Sequence, residues 1–228
     1  MGLKESGLRG SLRNVSVGIT AIPDSEDLHF HYDFSASSTT TSFVEDQTGN
    51  GRDLDSGSFT STNATIGGNQ AAEFDDDLIY GSFSTVDQPL HMFAVIEMPD
   101  PSGSDAYVWD GADSSSVNHV GFGARDGDME QIHSNSFGAS QIVGEPIVVN
   151  VLYDGSNGKV RLNGGEEEVS GDSESRPLQD GITVGARSDD DSNGTFNALE
   201  MLAYPENKED VEEDVESYLS SRGSINLA

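Results

Sequence analysis

From Leu28 onward, short stretches of apolar residues alternate with polar residues and turn residues, a pattern that predicts β-strands. In residues 89–98 both alternating sets contain apolar side chains, as expected for an inner strand of a two-layer sandwich. Residues 147–153 and 159–163 flank turn residues at 154–158, which predicts a β-hairpin. Two more strands are predicted at residues 181–187 and 196–204.

One segment has the pattern of an amphipathic helix, residues 207–222, directly after Pro205 and Glu206. Asn207 can cap its start, and Gly223 is placed to end it. Apolar side chains recur at spacings of three and four, namely Val211, Val215, Tyr218 and Leu219. The pattern therefore predicts an all-β fold, a two-sheet antiparallel jelly-roll sandwich with one C-terminal amphipathic helix and an extended N-terminal arm.

The charge of the chain is unusual, with 41 acidic and 11 basic residues and a formal net charge of −30. So much like charge repels itself in ordinary salt, whereas at molar salt the Debye length falls to roughly 3 Å. This composition predicts a protein of a concentrated-salt, extracellular environment. The absence of a large basic surface argues against nucleic-acid binding. One Trp, ten Phe and six Tyr supply a core and argue against a disordered acidic chain.

The composition also excludes several kinds of site. The chain has no cysteine, so it has no disulfide, thiol nucleophile or Cys-ligated zinc. No apolar run reaches the roughly 18–20 residues of a membrane span, and residues 1–22 lack the hydrophobic centre of a signal peptide. The length and even composition predict one domain.

The first residues differ from the acidic remainder, since three of the eleven basic side chains lie among residues 1–13. We therefore divide the chain into an N-terminal arm (1–27), a sandwich (28–223) that includes the helix, and a tail (224–228). A basic arm on an acidic body predicts attachment to an acidic partner, although a frayed terminus would have the same composition. The predicted docking residues are Lys4, Leu8, Arg9, Leu12 and Arg13.

Four segments in order resemble laminin-G-like domains of the concanavalin A-like fold. They are residues 33–54, with DFS and then DQTGNGRDL; residues 71–75 (AAEFD); residues 149–165 (VNVLYDGSNGKVRLNGG); and residues 199–204 (LEMLAY) followed by the helix. Each motif is short, but their order and spacing extend over residues 28–223. The resemblance implies a jelly-roll sandwich, a fold in which binding sites lie in loops.

Residues 2–25 (GLKESGLRGSLRNVSVGITAIPDS) resemble the N-terminal segment of structural proteins of tailed haloarchaeal viruses. This resemblance implies a virion protein that is anchored to other virion proteins through its arm. The sandwich would then decorate the particle or bind a host glycan or S-layer protein, and symmetric assembly predicts a homo-oligomer. The alternative is a secreted halophilic carbohydrate-binding module or glycoside hydrolase.

The sequence offers no clear catalytic centre, and it predicts that the chain is not an enzyme. Some jelly-roll hydrolases place carboxylates at alternate positions of one strand, so that both carboxylates face the sugar. Glu212, Asp214 and Glu216 have that spacing but lie in the predicted helix. Asp126, Asp128 and Glu130 come closer, yet Asp126 and Gly127 form a predicted turn that would break the strand.

One loop has the ligand spacing of a calcium site, with Asp189, Asp191 and Asn193 followed by Gly194 and, six residues later, Glu200. Glu200 belongs to a predicted strand, so the predicted ligands are Asp189, Asp191 and Asn193. No cofactor is otherwise required. In such an acidic chain a solvated loop gives the same pattern.

Aromatic and histidine pairs are the remaining candidates. Tyr107 and Trp109 alternate on a strand and would form a sugar-stacking platform if they were exposed; burial in the core is the favoured interpretation for Trp109. His29 and His31 share a strand face, but no third metal ligand can be assigned to them.

Overall fold

A computed structural model of the protein describes residues 21–98, 106–112, 120–125, 128–132, 136–140, 144–165, 169–187 and 193–227. Within these ranges the chain forms fifteen strands and one α-helix. The strands are β1 (Phe30–Asp33), β2 (Ser56–Ser58), β3 (Ser61–Ile66), β4 (Asn69–Asp75), β5 (Leu78–Ser82), β6 (Leu90–Glu97), β7 (Ala106–Gly111), β8 (Gly121–Arg125), β9 (Asp128–Ile132), β10 (Phe137–Ser140), β11 (Pro146–Tyr153), β12 (Gly158–Leu162), β13 (Val169–Gly171), β14 (Gly181–Val184) and β15 (Thr195–Tyr204), and the helix is α1 (Glu212–Gly223).

The strands form two antiparallel sheets. The eight-stranded sheet has the order β13-β12-β11-β6-β15-β4-β3, with β1 pairing to the second half of β15. The seven-stranded sheet has the order β10-β9-β8-β7-β14-β5-β2. The chain crosses from one sheet to the other several times, for example from β4 to β5 and from β14 to β15. The predicted two-sheet antiparallel sandwich with one C-terminal helix is therefore confirmed.

The main core lies between the two sheets and is built from aromatic and branched side chains. Phe74 of β4 stacks on Phe196 of β15, with ring centroids 4.8 Å apart, and both rings are fully buried. The inner strand β6 behaves as its pattern predicts: Met92 and Ala94 face this core, while Phe93 on the other face packs beneath the helix. Each fully buried side chain of this size contributes roughly 1.5–3 kcal/mol to folding.

Helix α1 covers the outer face of the eight-stranded sheet. Its apolar stripe of Val215, Tyr218 and Leu219 is buried against Phe93 and other side chains of that face in a second apolar cluster. These are the helix positions predicted to face inward. The other side of α1 carries exposed acidic residues such as Glu213, so the helix has one buried and one solvated face.

The helix begins five residues later than predicted, at Glu212 instead of Asn207. The Asn207 side chain accepts a hydrogen bond from the Glu209 backbone N–H at 2.9 Å, which is a local turn that competes with helix formation. The backbone N–H of Lys208 donates a hydrogen bond to Nδ1 of His91. The predicted Asn207 cap is therefore wrong, because residues 207–209 bind the sandwich and each other.

The C-terminal end of the helix also differs in detail. Gly223 is its last helical residue, and Ser224, with φ of 55°, takes the left-handed conformation expected of Gly223. A Cβ at Gly223 would lie 2.6 Å from Ile225 Cδ1 and 3.0 Å from Val95 Cγ1. The glycine lets the Ile225 and Val95 side chains pack closely on the helix end, and a larger residue would displace them.

The predicted strand at residues 181–187 ends at Val184. Gly185 has φ of +101°, and its backbone N–H donates to the Val108 carbonyl of β7 at 3.0 Å. This conformation turns the chain out of β14.

The predicted docking residues of the arm, Lys4, Leu8, Arg9, Leu12 and Arg13, lie outside the described residues. The segment that follows is attached to the sandwich. Lys208 Nζ lies 3.0 Å from an Asp24 carboxylate oxygen and 2.8 Å from one of Asp27, and Tyr204 Oη donates to the Pro23 carbonyl at 2.7 Å. Residues 23–27 are therefore held beside the start of α1.

Candidate functional site

The outer face of the seven-stranded sheet carries a row of polar and aromatic side chains. Asp110 of β7 lies opposite Thr183 of β14, which lies opposite Tyr80 of β5. Directly opposite residues of antiparallel strands share one face of the sheet. The chain neighbours of this row belong to the core between the sheets, namely Trp109, Val184 and Ile79. The row therefore points away from the core.

A second row on the same face runs through Tyr107 of β7, Gly123 of β8, Glu130 of β9 and Gly138 of β10. A register shift between Tyr107 and Trp109 places both Val108 and Trp109 in the core. A Cβ at Gly123 would collide with the Ala106 carbonyl, so only glycine fits there. Gly123 and Gly138 flank Glu130 in this row, and one of its carboxylate oxygens, Oε2, is buried.

The side chains at the centre of the face are buried, and Tyr80 at one side is exposed. Asp110 is 0% exposed, Thr183 3% and Tyr107 6%, whereas Tyr80 is 38% exposed. One oxygen of Asp110 accepts the Gly111 backbone N–H at 2.8 Å. Two carboxylates, a hydroxyl and two tyrosine rings thus share one sheet face. Such a face offers hydrogen-bond acceptors for hydroxyl groups and flat apolar surface for ring stacking.

Trp109 is not part of this surface, although it was considered for a sugar-stacking platform with Tyr107. Its ring is fully buried and stacks on Phe122, with ring centroids 4.6 Å apart, and its Nε1–H donates to Tyr153 Oη at 3.1 Å. Trp109 therefore fills the core, as the favoured interpretation of the sequence held. Tyr107 alone of the pair lies on the outer face.

The predicted calcium ligands are only partly within the described residues. Asp189 and Asp191 lie outside them. Asn193 is described: its Nδ2 donates to the Asp76 carbonyl at 3.0 Å. Within the part of the chain that the structure describes, no group of three or more His, Asp or Glu side chains could hold a metal ion. Calcium binding at this loop stays a prediction, and Glu200 lies on β15, as expected.

The carboxylates weighed for catalysis fall into two places. The predicted turn at Asp126 and Gly127 lies outside the described residues, and β8 and β9 pair with Arg125 opposite Asp128. Asp128 and Glu130 are therefore on β9 and share one face. Glu212, Asp214 and Glu216 lie on α1, as predicted, and Glu216 is buried beside Arg161 Nη2, 2.9 Å away.

Glu200, which the sequence analysis assigns to a strand and leaves out of the calcium ligands, is a buried carboxylate that organises the helix side. His31 Nε2 lies 2.8 Å from Oε1 of Glu200, Tyr218 Oη donates to the same oxygen at 2.8 Å, and Arg222 Nε donates to Oε2 at 2.8 Å. Burial raises the pKa of the Glu200 carboxyl, but His31 and Arg222 outweigh burial and hold the pKa below its usual value. His31 is thus a structural residue. His29 is not part of the cluster around Glu200.

A second buried network lies nearby, around His91. Because His91 Nδ1 accepts the Lys208 backbone N–H at 3.1 Å, the neutral ring carries its proton on Nε2, which lies 2.6 Å from Asn150 Oδ1. Asn150 in turn donates to Glu216 at 2.8 Å. Burial lowers the pKa of His91 to about 4. Both networks pair polar groups between the sheet and the helix.

The lowered pKa of His91 predicts acid sensitivity. Between pH 6.5 and about 4 the unfolded chain binds a proton at this histidine and the folded protein does not, so the free energy of unfolding falls as the pH is lowered through this window. The shift corresponds to up to about 3 kcal/mol. Urea unfolding at fixed molar salt across this range measures it.

His29, whose pKa burial also lowers to about 4, contributes in the same window. The double variant His29→Gln/His91→Gln should therefore lose most of the pH dependence between 6.5 and 4. An unchanged dependence in the double variant would contradict the assignment to these histidines.

Comparison with known proteins identifies the fold. The chain is similar to Trypanosoma rangeli sialidase, with a TM-score of 0.60 and 10% identity over 86% of this chain and 33% of the sialidase. It is also similar to an arabinofuranosidase complexed with arabinofuranosyl-α-1,2-xylobiose, with a TM-score of 0.59 and 15% identity over 86% of this chain and 59% of that enzyme. The chain thus spans about a third and three fifths of these proteins. No family model and no curated protein sequence matches it.

These comparisons correct the sequence-based expectation that the chain is not an enzyme. The sialidase and the arabinofuranosidase are both glycoside hydrolases that share this fold, so the expectation that the chain is not an enzyme is wrong. They support a β-sandwich fold, but none is a viral protein, so the predicted virion role receives no support from them.

The one α-helix of the described residues is too short and too polar to span a membrane.

Proposed function

We propose that the chain is a carbohydrate-active β-sandwich module and that the outer face of its seven-stranded sheet binds saccharide. The observation that carries the proposal is the set of side chains on that face, in which Asp110, Thr183, Glu130 and two tyrosines point away from the core. The opposite outer face is covered by α1, which packs on the sheet through an apolar cluster and two polar networks. Glycosidases among the structures with this fold lend the proposal support.

Glycoside hydrolysis is the second candidate function, because the same face holds two carboxylates. Asp110 and Glu130 are on β7 and β9, which are separated only by β8. Two strand spacings are roughly 9.5 Å. Inverting enzymes place their carboxyl groups about 6.5–9.5 Å apart and retaining enzymes about 5–5.5 Å. Asp110 is also displaced along the strands by about two residues, because it lies in the row of Gly121 and Ile132, and this adds roughly 6.6 Å, so the two Cα atoms are roughly 12 Å apart. This separation is too large for retention, so hydrolysis at this pair would proceed by inversion with the two side chains leaning towards each other, one carboxyl protonating the leaving oxygen and the other activating water.

A saccharide screen at molar salt, combined with a reducing-sugar assay, tests both functions. The expected result is selective binding of one class of glycan. Asp110→Asn or Glu130→Gln should lower any hydrolysis at least about 100-fold, since each removes one of the two proton-transfer groups. The control Glu213→Gln changes an exposed carboxylate of the helix and should match the wild type. Uniform silence of the folded protein in the screen would reject saccharide binding. Binding without hydrolysis would reject only the second function.

A further inference from the structure

One stretch of the chain carries no charge. Residues 56–72 contain no Asp, Glu, Lys, Arg or His over seventeen positions, the longest such stretch in the chain. This neutrality is unexpected where about every sixth residue is acidic. The stretch forms β2, β3 and the first residues of β4.

This neutral stretch coincides with the edges of both sheets. β2 is the last strand of the seven-stranded sheet, and β3 is the last strand of the eight-stranded sheet. Only Phe59 and Thr60 separate the two strands, and Phe59 is buried in the core. The two uncharged edges therefore lie on the same side of the sandwich.

β3 offers an open pairing edge. Among the described residues its only strand partner is β4, so its outer backbone N–H and C=O groups face away from the sheet. Proteins commonly protect such edges with lysine, proline or a bulge. β3 has a register shift between Ser61 and Ala64 but no proline and no charge, and Ala64–Ile66 pairs regularly with Asn69–Ala71. Thr65, in the middle of this regular part, is exposed.

We propose that β3 is a self-association edge, at which β3 of a second copy pairs antiparallel about a twofold axis. A second copy is the occupant that this edge fits, because an antiparallel edge strand is complementary to itself. Two copies that each carry a charge of −30 repel each other wherever charged surfaces meet, so an uncharged edge is the place where they can approach. Salt screens the remaining repulsion, so dimerisation strengthens as salt is raised.

The test is the mass of the full-length protein in solution, measured by light scattering and sedimentation from low to molar salt. The wild type should have about twice the mass of the 24.2 kDa chain at molar salt and should dissociate as salt is lowered. Thr65→Glu places like charges close together across the twofold axis, so its dimer dissociation constant should rise at least about tenfold. Ser82→Glu is the matched control, an exposed strand position on β5, which lies between β2 and β14.

Folding and location are checked separately. Circular dichroism should give the same strand content for both variants. Hydrogen exchange in the wild type should slow at Thr65 as protein concentration rises, and exchange in β5 should not change. A monomer at all salt concentrations would overturn the proposal. So would a dimer that Thr65→Glu leaves intact, or one that Ser82→Glu weakens equally.

Discussion

Replacing Glu200 by alanine should lower the free energy of unfolding by about 3 kcal/mol. The substitution removes the carboxylate that holds His31, Tyr218 and Arg222, each at 2.8 Å, in a site where Glu200 is fully buried. The tyrosine hydroxyl would then lack its buried acceptor. The expected loss of unfolding free energy is at the lower end of the range for a broken buried ion pair, because Arg222 still pairs with the Asp33 carboxylate, 2.9 Å away. Chemical denaturation at molar salt measures the difference.

The pH dependence of stability distinguishes the loss of the Glu200 charge from a simple loss of packing. Because the folded-state pKa of Glu200 is lowered, its carboxylate stabilises the protein above the unfolded-state pKa near 4.5, and this stability is lost as the pH falls through the folded-state pKa. The gap between wild type and Glu200→Ala should therefore narrow in acid. The control Glu213→Ala removes an exposed helix carboxylate and should change stability by less than about 0.5 kcal/mol. Equal effects of the two variants would contradict the role of Glu200.

Trp109→Ala should destabilise the protein by about 3–5 kcal/mol. The indole is fully buried, stacks on Phe122 and donates to Tyr153 Oη, so alanine leaves a large cavity and a lost hydrogen bond. Trp109→Phe keeps most of the ring volume and should cost less. Thermal unfolding of the wild type, Trp109→Phe and Trp109→Ala measures this order of stability.

The matched comparison is Tyr80→Ala, which removes an exposed aromatic ring from the outer face of the same sheet. This variant should stay close to wild-type stability and should bind saccharide more weakly. If Trp109→Ala were stable and failed only in saccharide binding, Trp109 would be a sugar platform and its assignment to the core would be wrong.

Much of the fold could be predicted from local patterns. The alternation in β6 and β11 and the spacing of Val215, Tyr218 and Leu219 depend on neighbouring residues only, and the structure places them as predicted. The start of α1 could not be predicted, because it depends on a backbone hydrogen bond from Lys208 to His91, 117 residues away. Long-range contacts of this kind leave no local signal.

The candidate face was harder to predict than the fold. Trp109 and Tyr107 have the same spacing as any alternating pair, and only the register shift between them puts one in the core and the other outside. Asp110 and Glu130 share one sheet face because β7 and β9 flank β8, while Glu200 meets His31, 169 residues away, across paired strands. In an acidic chain, the sequence alone cannot distinguish these carboxylates from those of a solvated surface.

The central claim is the location of the saccharide site, and the most direct measurement is amide chemical-shift mapping during titration with a saccharide that the screen identifies. The prediction is that shifts concentrate on the outer face of the seven-stranded sheet, at Tyr80, Asp110, Glu130 and Thr183, and that Tyr80→Ala weakens binding. Residues of α1 and its buried contacts should not shift. Shifts confined to α1 and the eight-stranded sheet, with the outer face of the seven-stranded sheet unaffected, would contradict the account.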